Sequence, residues 1–458
     1  HEAIRPSQKD MYKDSIRILK QKRTLIACAP TGIGKTAAAL SAAIQVAREE
    51  NERYQILFLT SRQSQHRIAV ETIRQLNHKR PENQKKILLS DILGQQSMCV
   101  RDIRREDPFL FSRICAEDRQ SRRCSPFLER DEAFTLKIAE NILHAQETVE
   151  LSEKRQDGGQ KAPICAWRVA REAAGMADVV VADYNHLFLE KVREVSLEAM
   201  GIELEKSIII IDEGHNLPER IRQGLRRTIS ISLIRDSRQE LELERQSIEA
   251  KQRSFQNTDD GKEIQRRAKI MQVSQLLLRW RERLRSWSER LNGNWENENR
   301  SDRIISVDDF RNSLEHTISD VLSEHPLAIQ EIIKILETIM QDGEDEENES
   351  ASARLAATLS LIMQWKGNPA LIATYHRPKT NLRTSVEGKF VIAHLDPGLV
   401  AAPILDKVRG AIIMSATLFP PKMYEQLLGI KNSLVKTYAS PFEGRLRPVL
   451  VTSDIDLT

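Results

Sequence analysis

The chain is poor in the residues that would make it secreted, membrane-spanning or fibrous. Five cysteines in 458 residues are too few for a disulfide scaffold. No apolar run reaches the length of about eighteen residues that a membrane span needs, and no secretory leader opens the chain. Aromatic residues make up only 5%, so the position of each Trp asks for a reason. One-sided charge is missing too. The 69 Lys and Arg against 66 Asp and Glu leave a net +3, which neither demands nor excludes a polyanionic partner. Basic residues on one face can be cancelled by acidic runs such as Glu344-Asp345-Glu346-Glu347. What remains, 40% hydrophobic and 29% charged with a mean hydropathy of −0.45, is the composition expected of a soluble intracellular protein. Its length exceeds what one core supports, so about two to four domains are expected.

Short apolar runs alternate with helical stretches. Thr24 to Ala29, Tyr54 to Thr60, Ala177 to Ala182, Ser207 to Ile211 and Ala411 to Met414 read as strands buried on both faces, which argues for a parallel α/β sheet. Two segments break the rhythm. Residues 91–171 hold four cysteines and many arginines with little strand pattern, and residues 221–385 read as mostly helical and charged. In the second, Leu277, Trp280, Leu284, Trp287 and Leu291 recur at alternating three and four, the spacing of a helix seam with both Trp in the core. Gln341 to Ser350 is expected to be a solvated loop or hinge. No internal repeat is found.

Ala29-Pro30-Thr31-Gly32-Ile33-Gly34-Lys35-Thr36 lies between an apolar strand and an Ala-rich helix, the setting a phosphate-binding loop requires. Thr31, Gly32 and Gly34 belong to the turn. The glycines let backbone N–H groups face phosphate oxygens, Lys35 should reach the β and γ phosphates, and Thr36 should complete a Mg²⁺ shell. Position 29 is Ala where the general pattern has Gly. Ile211-Asp212-Glu213-Gly214-His215 follows the strand Ser207 to Ile211, so Asp212 points into the crevice at the strand ends as a Mg²⁺ partner. Glu213 is the candidate general base, and His215 should bond toward the next motif. That motif, Ser415-Ala416-Thr417-Leu418, offers Ser415 and Thr417 as a hydroxyl pair coupling the site to its surroundings. Upstream, Gln8 in Arg5-Pro6-Ser7-Gln8 is either an adenine reader or part of an ordinary polar N-terminus.

Cys28 sits in an apolar run and is expected to pack in the core. Cys99, Cys115, Cys124 and Cys165 are separated by fifteen, eight and forty residues. Four thiolates can hold a 4Fe–4S cluster or a structural Zn²⁺. Zinc sites favour close Cys-x-x-Cys pairs, none of which occurs, and wide spacing suits the larger cluster. Arg101, Arg104, Arg105, Arg113, Arg119, Arg122 and Arg123 surround these ligands, forming either a solvated face or a phosphate-contacting one.

The order of loop, Asp-Glu-x-His and Ser-Ala-Thr, with one cysteine-bearing insertion before Asp-Glu-x-His and one helical insertion after it, resembles the XPD-like iron–sulphur helicases of superfamily 2. Thr60-Ser61-Arg62-Gln63-Ser64-Gln65, Asp178 to Phe188 and Leu395-Asp396-Pro397 resemble further segments of that family. The resemblance covers essentially the whole chain. It implies a RecA-like motor lobe from 1–90, 172–220 and 386–438, an iron–sulphur cluster domain at 91–171, a helical arch domain at 221–385, and the start of a second lobe at 439–458. That second lobe, with its arginine finger, is otherwise missing. The resemblance also implies ATP, Mg²⁺ and a 4Fe–4S cluster as cofactors, with the cluster held by Cys99, Cys115, Cys124 and Cys165. DNA contacts would come from Arg62, Trp167, Arg171 and Tyr184, with packing of the cluster domain as the alternative role for Trp167 and Arg171. Two positions depart from the family: Gly214 stands where Ala is usual, and Gln95 where relatives often carry Arg.

The implied activity is 5′→3′ translocation on single-stranded DNA with unwinding of forked duplex, in DNA repair such as nucleotide excision repair. The implied protein is a monomer without a membrane partner, in an archaeal-type cytoplasm and associated with the nucleoid. An RNA or RNA–DNA remodelling ATPase and a non-catalytic nucleic-acid adaptor are the rival readings.

Overall fold

The computed structural model describes residues 4–49, 53–254, 261–293, 301–323, 327–339, 350–378, 380–381, 384–385 and 388–442. The acidic run at 344–347, most of the expected hinge at 341–350 and residues 443–458 of the expected second lobe lie outside them.

Seven parallel strands form the main sheet, the one expected to be the motor sheet. Their spatial order is Ser433–Thr437, Thr24–Cys28, Gly410–Ser415, Ser207–Asp212, Gln55–Leu59, Val179–Ala182 and Leu89–Asp91. Every residue of the first four chain-order strands is buried, as is every residue of Ser207–Asp212 and Gly410–Ser415. The reason is that both sheet faces are covered. Ile26, Leu57, Val180, Ile209, Ile211 and Ile413 enter one apolar layer, while Leu25, Phe58, Val181, Ile208, Ile210 and Ile412 enter the other. Side chains alternate between the faces, so a strand covered on both sides needs an unbroken apolar run. The helices Pro6–Lys20, Lys35–Glu49 and Gln63–His78 supply part of the cover.

The cysteine-bearing insertion is built from short helices, chiefly Pro108–Gln120, Glu132–Glu140 and Ala145–Glu153, with a small hairpin of Gln156–Asp157 and Gln160–Lys161. It is anchored by a buried carboxylate. Asp91, at the end of an edge strand, has Oδ1 2.6 Å from His66 Nδ1 and accepts the Ala145 amide on Oδ2 at 2.8 Å. An ionic group this deeply buried is tolerable only when its oxygens are satisfied. The helix Ala166–Met176 runs across the expected boundary at 171, because its apolar face packs on the motor core through Ala166, Trp167, Ala170 and Ala174.

The second insertion is not purely helical. Helices Ile231–Ser254 and Gly261–Gly293 pair beside a four-stranded antiparallel sheet ordered Arg226–Ser230, Lys389–His394, Leu371–His376 and Asp302–Ile305. The strand Lys389–His394, expected in the motor lobe, therefore belongs to the insertion, and the return to the motor sheet falls after His394. Packing sets that boundary: Phe390 and Ile392 join the insertion's core. The ring centroids of Trp280 and Phe310 lie 5.4 Å apart, and those of Trp287 and Phe390 5.1 Å apart. Leu277, Trp280 and Leu284 are fully buried, while Trp287 and Leu291 pack at the margin. A sparse set of aromatics is thus concentrated where one small core needs large side chains. At the start of the insertion, the helix Leu217–Gly224 spans the expected boundary at 221.

Candidate nucleotide site and cysteine centre

The phosphate loop leaves the buried strand Thr24–Cys28 and enters the helix Lys35–Glu49. Gly32 and Gly34 both have left-handed backbones, with φ of 85° and 83°, which a side chain would strain. Parallel pairing of Gly410–Ser415 with both Thr24–Cys28 and Ser207–Asp212 brings three distant segments to one edge. There the Lys35 ammonium donates to Glu213 Oε1 at 3.2 Å and stands 3.9 Å from Asp212 Oδ1. The Ser415 hydroxyl donates to Glu213 Oε2 at 3.0 Å and lies 2.7 Å from His215 Nδ1. Thr417 joins through its amide, which donates to Ser415 Oγ at 3.2 Å.

Glu213 itself has a left-handed backbone, φ 52°, an uncommon conformation for a residue with a long side chain. Tyr184 holds that turn from below. Its hydroxyl donates to the Glu213 carbonyl at 3.0 Å and also to the Asp212 carbonyl. Tyr184 is fully buried, so it does not offer its ring to nucleic acid as expected. No local pattern signals this tie, because it crosses the intervening strand Gln55–Leu59. Burial pushes the Tyr184 phenol upward, with the Asp212 and Glu213 carboxylates adding to the shift.

Asp212 is fully buried, and its Oδ2 has no hydrogen-bond partner among the described residues. Desolvation raises its carboxyl to about 6, against the opposing pull of Lys35. An orphaned buried oxygen beside the phosphate loop fits a hydrated divalent cation, and Thr36, buried on the first helical turn, is the second candidate ligand. Gln8 is at the loop as well. Its amide donates to the Gly34 carbonyl at 3.3 Å.

Cys99, Cys115, Cys124 and Cys165 line one small cavity together with Phe111, Pro126 and Phe127. None of the four is joined in a disulfide. Burial pushes the Cys115 thiol up to about 12 and the Cys165 thiol to about 11, and raises Cys99. Cys124 adds to all three shifts, Cys99 to those of Cys115 and Cys165, and Cys165 to that of Cys115, which reflects how close the sulphurs stand. Among the described residues no group of three His, Cys, Asp or Glu side chains is gathered to hold a single metal ion. A set of four soft thiol donors, with Arg101 and Arg119 at hand to offset negative charge, fits an iron–sulphur group in its chemistry.

Some of the arginines around this centre are tied to neighbouring side chains, while Arg105, Arg113 and Arg122 are exposed. Arg101 and Arg123 both bond Asp118, at 2.8 and 3.0 Å, and Arg119 lies 5.5 Å over the Phe127 ring. Arg171 is buried 4.2 Å over the Trp167 ring and donates to the Val195 carbonyl at 2.9 Å. Trp167 is 7% exposed in the motor core. The expected stacking and phosphate contacts of Trp167 and Arg171 are therefore not available on this surface; the pair packs the cysteine-bearing insertion onto the parallel-sheet core. Arg62 is exposed where the helix Gln63–His78 begins. Nearby, a cleft of about 630 Å³ runs between the parallel-sheet core and the cysteine-bearing insertion, lined by Ser61, Gln63, Gln96, Asn185, His186 and Arg220.

Comparison with known proteins agrees with this arrangement. The DEAD/DEAH box helicase family model matches residues 6–102, and the DEAD_2 family model matches residues 58–234. In sequence and fold the chain resembles the XPD-like superfamily 2 helicases. The ATP-dependent DNA helicase CHL1 of Scheffersomyces stipitis is 23% identical to this XPD-like chain over 335 residues, covering 71% of the chain and 37% of that protein. The Fanconi anemia group J protein homolog of Gallus gallus is 30% identical over 111 residues, 24% of this chain and 8% of its own. A solved XPD helicase structure shares the fold at a TM-score of 0.51 and 16% identity, covering 95% of this chain and 62% of its own. The XPD-like chain thus spans well under half the length of these curated relatives. No helix among the described residues is long and apolar enough to cross a membrane.

Proposed function

We propose that this chain carries the ATP-binding lobe, cluster domain and arch of an ATP-dependent DNA helicase that moves 5′→3′ along single-stranded DNA and opens forked duplex. The observation that carries the reading is the Lys35–Glu213–Ser415–His215 network, in which three segments about two hundred residues apart meet at one carboxylate. A nucleoside triphosphate on the loop offers its phosphate oxygens to Lys35, which then releases Glu213. With Ser415 on its carboxylate and Tyr184 on its backbone carbonyl, the freed Glu213 accepts the proton of the attacking water. His215 and Ser415 share a hydrogen bond with that carboxylate's environment, so its change of partner is felt at Thr417. Asp212 and Thr36 would hold Mg²⁺, which supplies charge neutralisation at the phosphates.

Cys99, Cys115, Cys124 and Cys165 would hold the 4Fe–4S cluster, whose contribution is to fix four separate backbone segments as one rigid body. The strand path is assigned to the cleft beside Arg62, where Gln96, Asn185 and Arg220 add donors. DNA as the substrate follows the relatives named as ATP-dependent DNA helicases. A repair role, action as a monomer and an intracellular site of action on DNA belong to the same proposal. The test is ATP hydrolysis measured with no nucleic acid, with single-stranded DNA and with RNA of equal length. Stimulation by DNA alone supports the reading. Stimulation by RNA alone replaces it with an RNA remodelling motor, and no hydrolysis under any condition leaves only the adaptor.

A further inference from the structure

The chain leaves the motor sheet along the nucleotide site. The Tyr438 amide donates to the carbonyl of Cys28 at 2.9 Å, at the residue where the first strand turns into the phosphate loop. The Ser7 hydroxyl donates to the Ala439 carbonyl at 2.9 Å. Asp14, buried on the N-terminal helix, accepts from the Tyr438 hydroxyl at 3.1 Å and from the Lys436 ammonium at 2.5 Å. Pinned at these points, the segment delivers the Phe442 ring to the loop. A Cβ on Gly32 would lie 2.8 Å from ring carbon Cε2, so a side chain there would push the ring aside. Gly34 is covered in the same way by Gln8, whose amide nitrogen would stand 2.4 Å from a Cβ there. Gly32 is therefore covered by Phe442 with Pro441 beside it, and Gly34 by Gln8, from segments more than four hundred positions apart in sequence.

We propose that Phe442 is a positioning residue of the nucleotide site, bracing the phosphate loop at Gly32 and passing the loop's state to the segment beyond the first motor lobe. This rests on the nucleotide-site reading above and deepens it. Glycines give the loop the backbone freedom it needs to wrap phosphates, and that freedom is lost on binding. A ring packed on Gly32 removes part of it beforehand, so the ligand has less ordering to do. The linkage is reciprocal: a nucleotide that fixes the loop must also fix the ring resting on it. The ring is 37% exposed, so it can be changed without opening a core cavity.

The experiment uses the full chain, Phe442→Ala and Phe442→Tyr, with steady-state ATP hydrolysis and amide hydrogen exchange with and without a non-hydrolysable ATP analogue. Loss of an aromatic contact should raise KM for ATP by roughly threefold to tenfold with kcat changed by less than about twofold. Phe442→Tyr, which keeps the ring, should restore KM. In the wild-type chain the analogue should slow exchange at the 438–442 amides, and in Phe442→Ala it should not. A merely structural ring would alter stability without altering this nucleotide-dependent protection. Unchanged KM in Phe442→Ala, or equal protection in both chains, would overturn the inference and leave the ATPase reading standing. A wild-type chain that neither binds the analogue nor hydrolyses ATP would overturn both.

Discussion

Lys35 and Glu213, 178 positions apart in sequence, meet as an ion pair of 3.2 Å at the mouth of the phosphate loop. Under the proposed mechanism the pair keeps a cation and a base in register, phosphate being the partner of one and water of the other. Lys35→Ala is expected to abolish ATP turnover while leaving affinity for single-stranded DNA largely intact. Fluorescence anisotropy with labelled DNA, alongside phosphate release, checks it. Retained turnover would sink the role assigned to Lys35.

Glu213→Gln keeps the shape of the side chain and a partner for Ser415, but removes the base. ATP should still bind with near wild-type affinity, while kcat falls by about 10²- to 10⁴-fold. Nucleotide titration and single-turnover hydrolysis separate the two. A parallel loss of binding would mean that Glu213 acts on the ground state and is not the base.

Tyr184→Phe tests the burial of that residue. Removing the hydroxyl leaves the Asp212 and Glu213 carbonyls with one donor fewer, at a cost of about 1–2 kcal/mol in stability. kcat for ATP should fall and the DNA concentration for half-stimulation should stay fixed. A rise in that concentration with unchanged kcat would return Tyr184 to the nucleic-acid surface.

The cysteine centre predicts a chemical signature. Anaerobically purified protein should be brown, with about four irons and four sulphides per chain, and Cys115→Ser should lose both colour and most of the iron. A colourless protein holding one zinc would sink the cluster assignment and leave the nucleotide site untouched.

His186 predicts a pH dependence. It lines the cleft on one side yet is otherwise enclosed, with its Nδ1 2.9 Å from the Ser196 hydroxyl. Desolvation is the largest cause that brings its imidazole down from 6.5 to about 4, with Arg171 and His66 pushing the same way and Asp183 opposing. A folded pKa below the unfolded one means that the unfolded chain takes up the proton first. Stability should therefore be level above about pH 6.5 and fall as pH drops from there toward 4. Urea denaturation across that window checks it: His186→Gln should flatten the slope, and an unaltered slope would place the titration elsewhere.

The sequence by itself determined what is local. Unbroken apolar runs such as Ile208 to Ile211 declared strands covered on both faces, and a Gly-Lys-Thr turn between strand and helix declared an anion site, because backbone geometry and side-chain period act over a few residues. Tertiary structure decided what depends on which strand lies beside which. The strand Lys389–His394 could belong to either domain until its partners Arg226–Ser230 and Leu371–His376 were known. Trp167 and Arg171 occupy family positions expected to face nucleic acid, yet they stack on each other inside the core. An amphipathic helix shows its apolar stripe in sequence but not the surface that covers it. Tyr184 and Phe442 reach the nucleotide site only because strand order sets their segments beside it, and such order follows from the packing of the whole sheet.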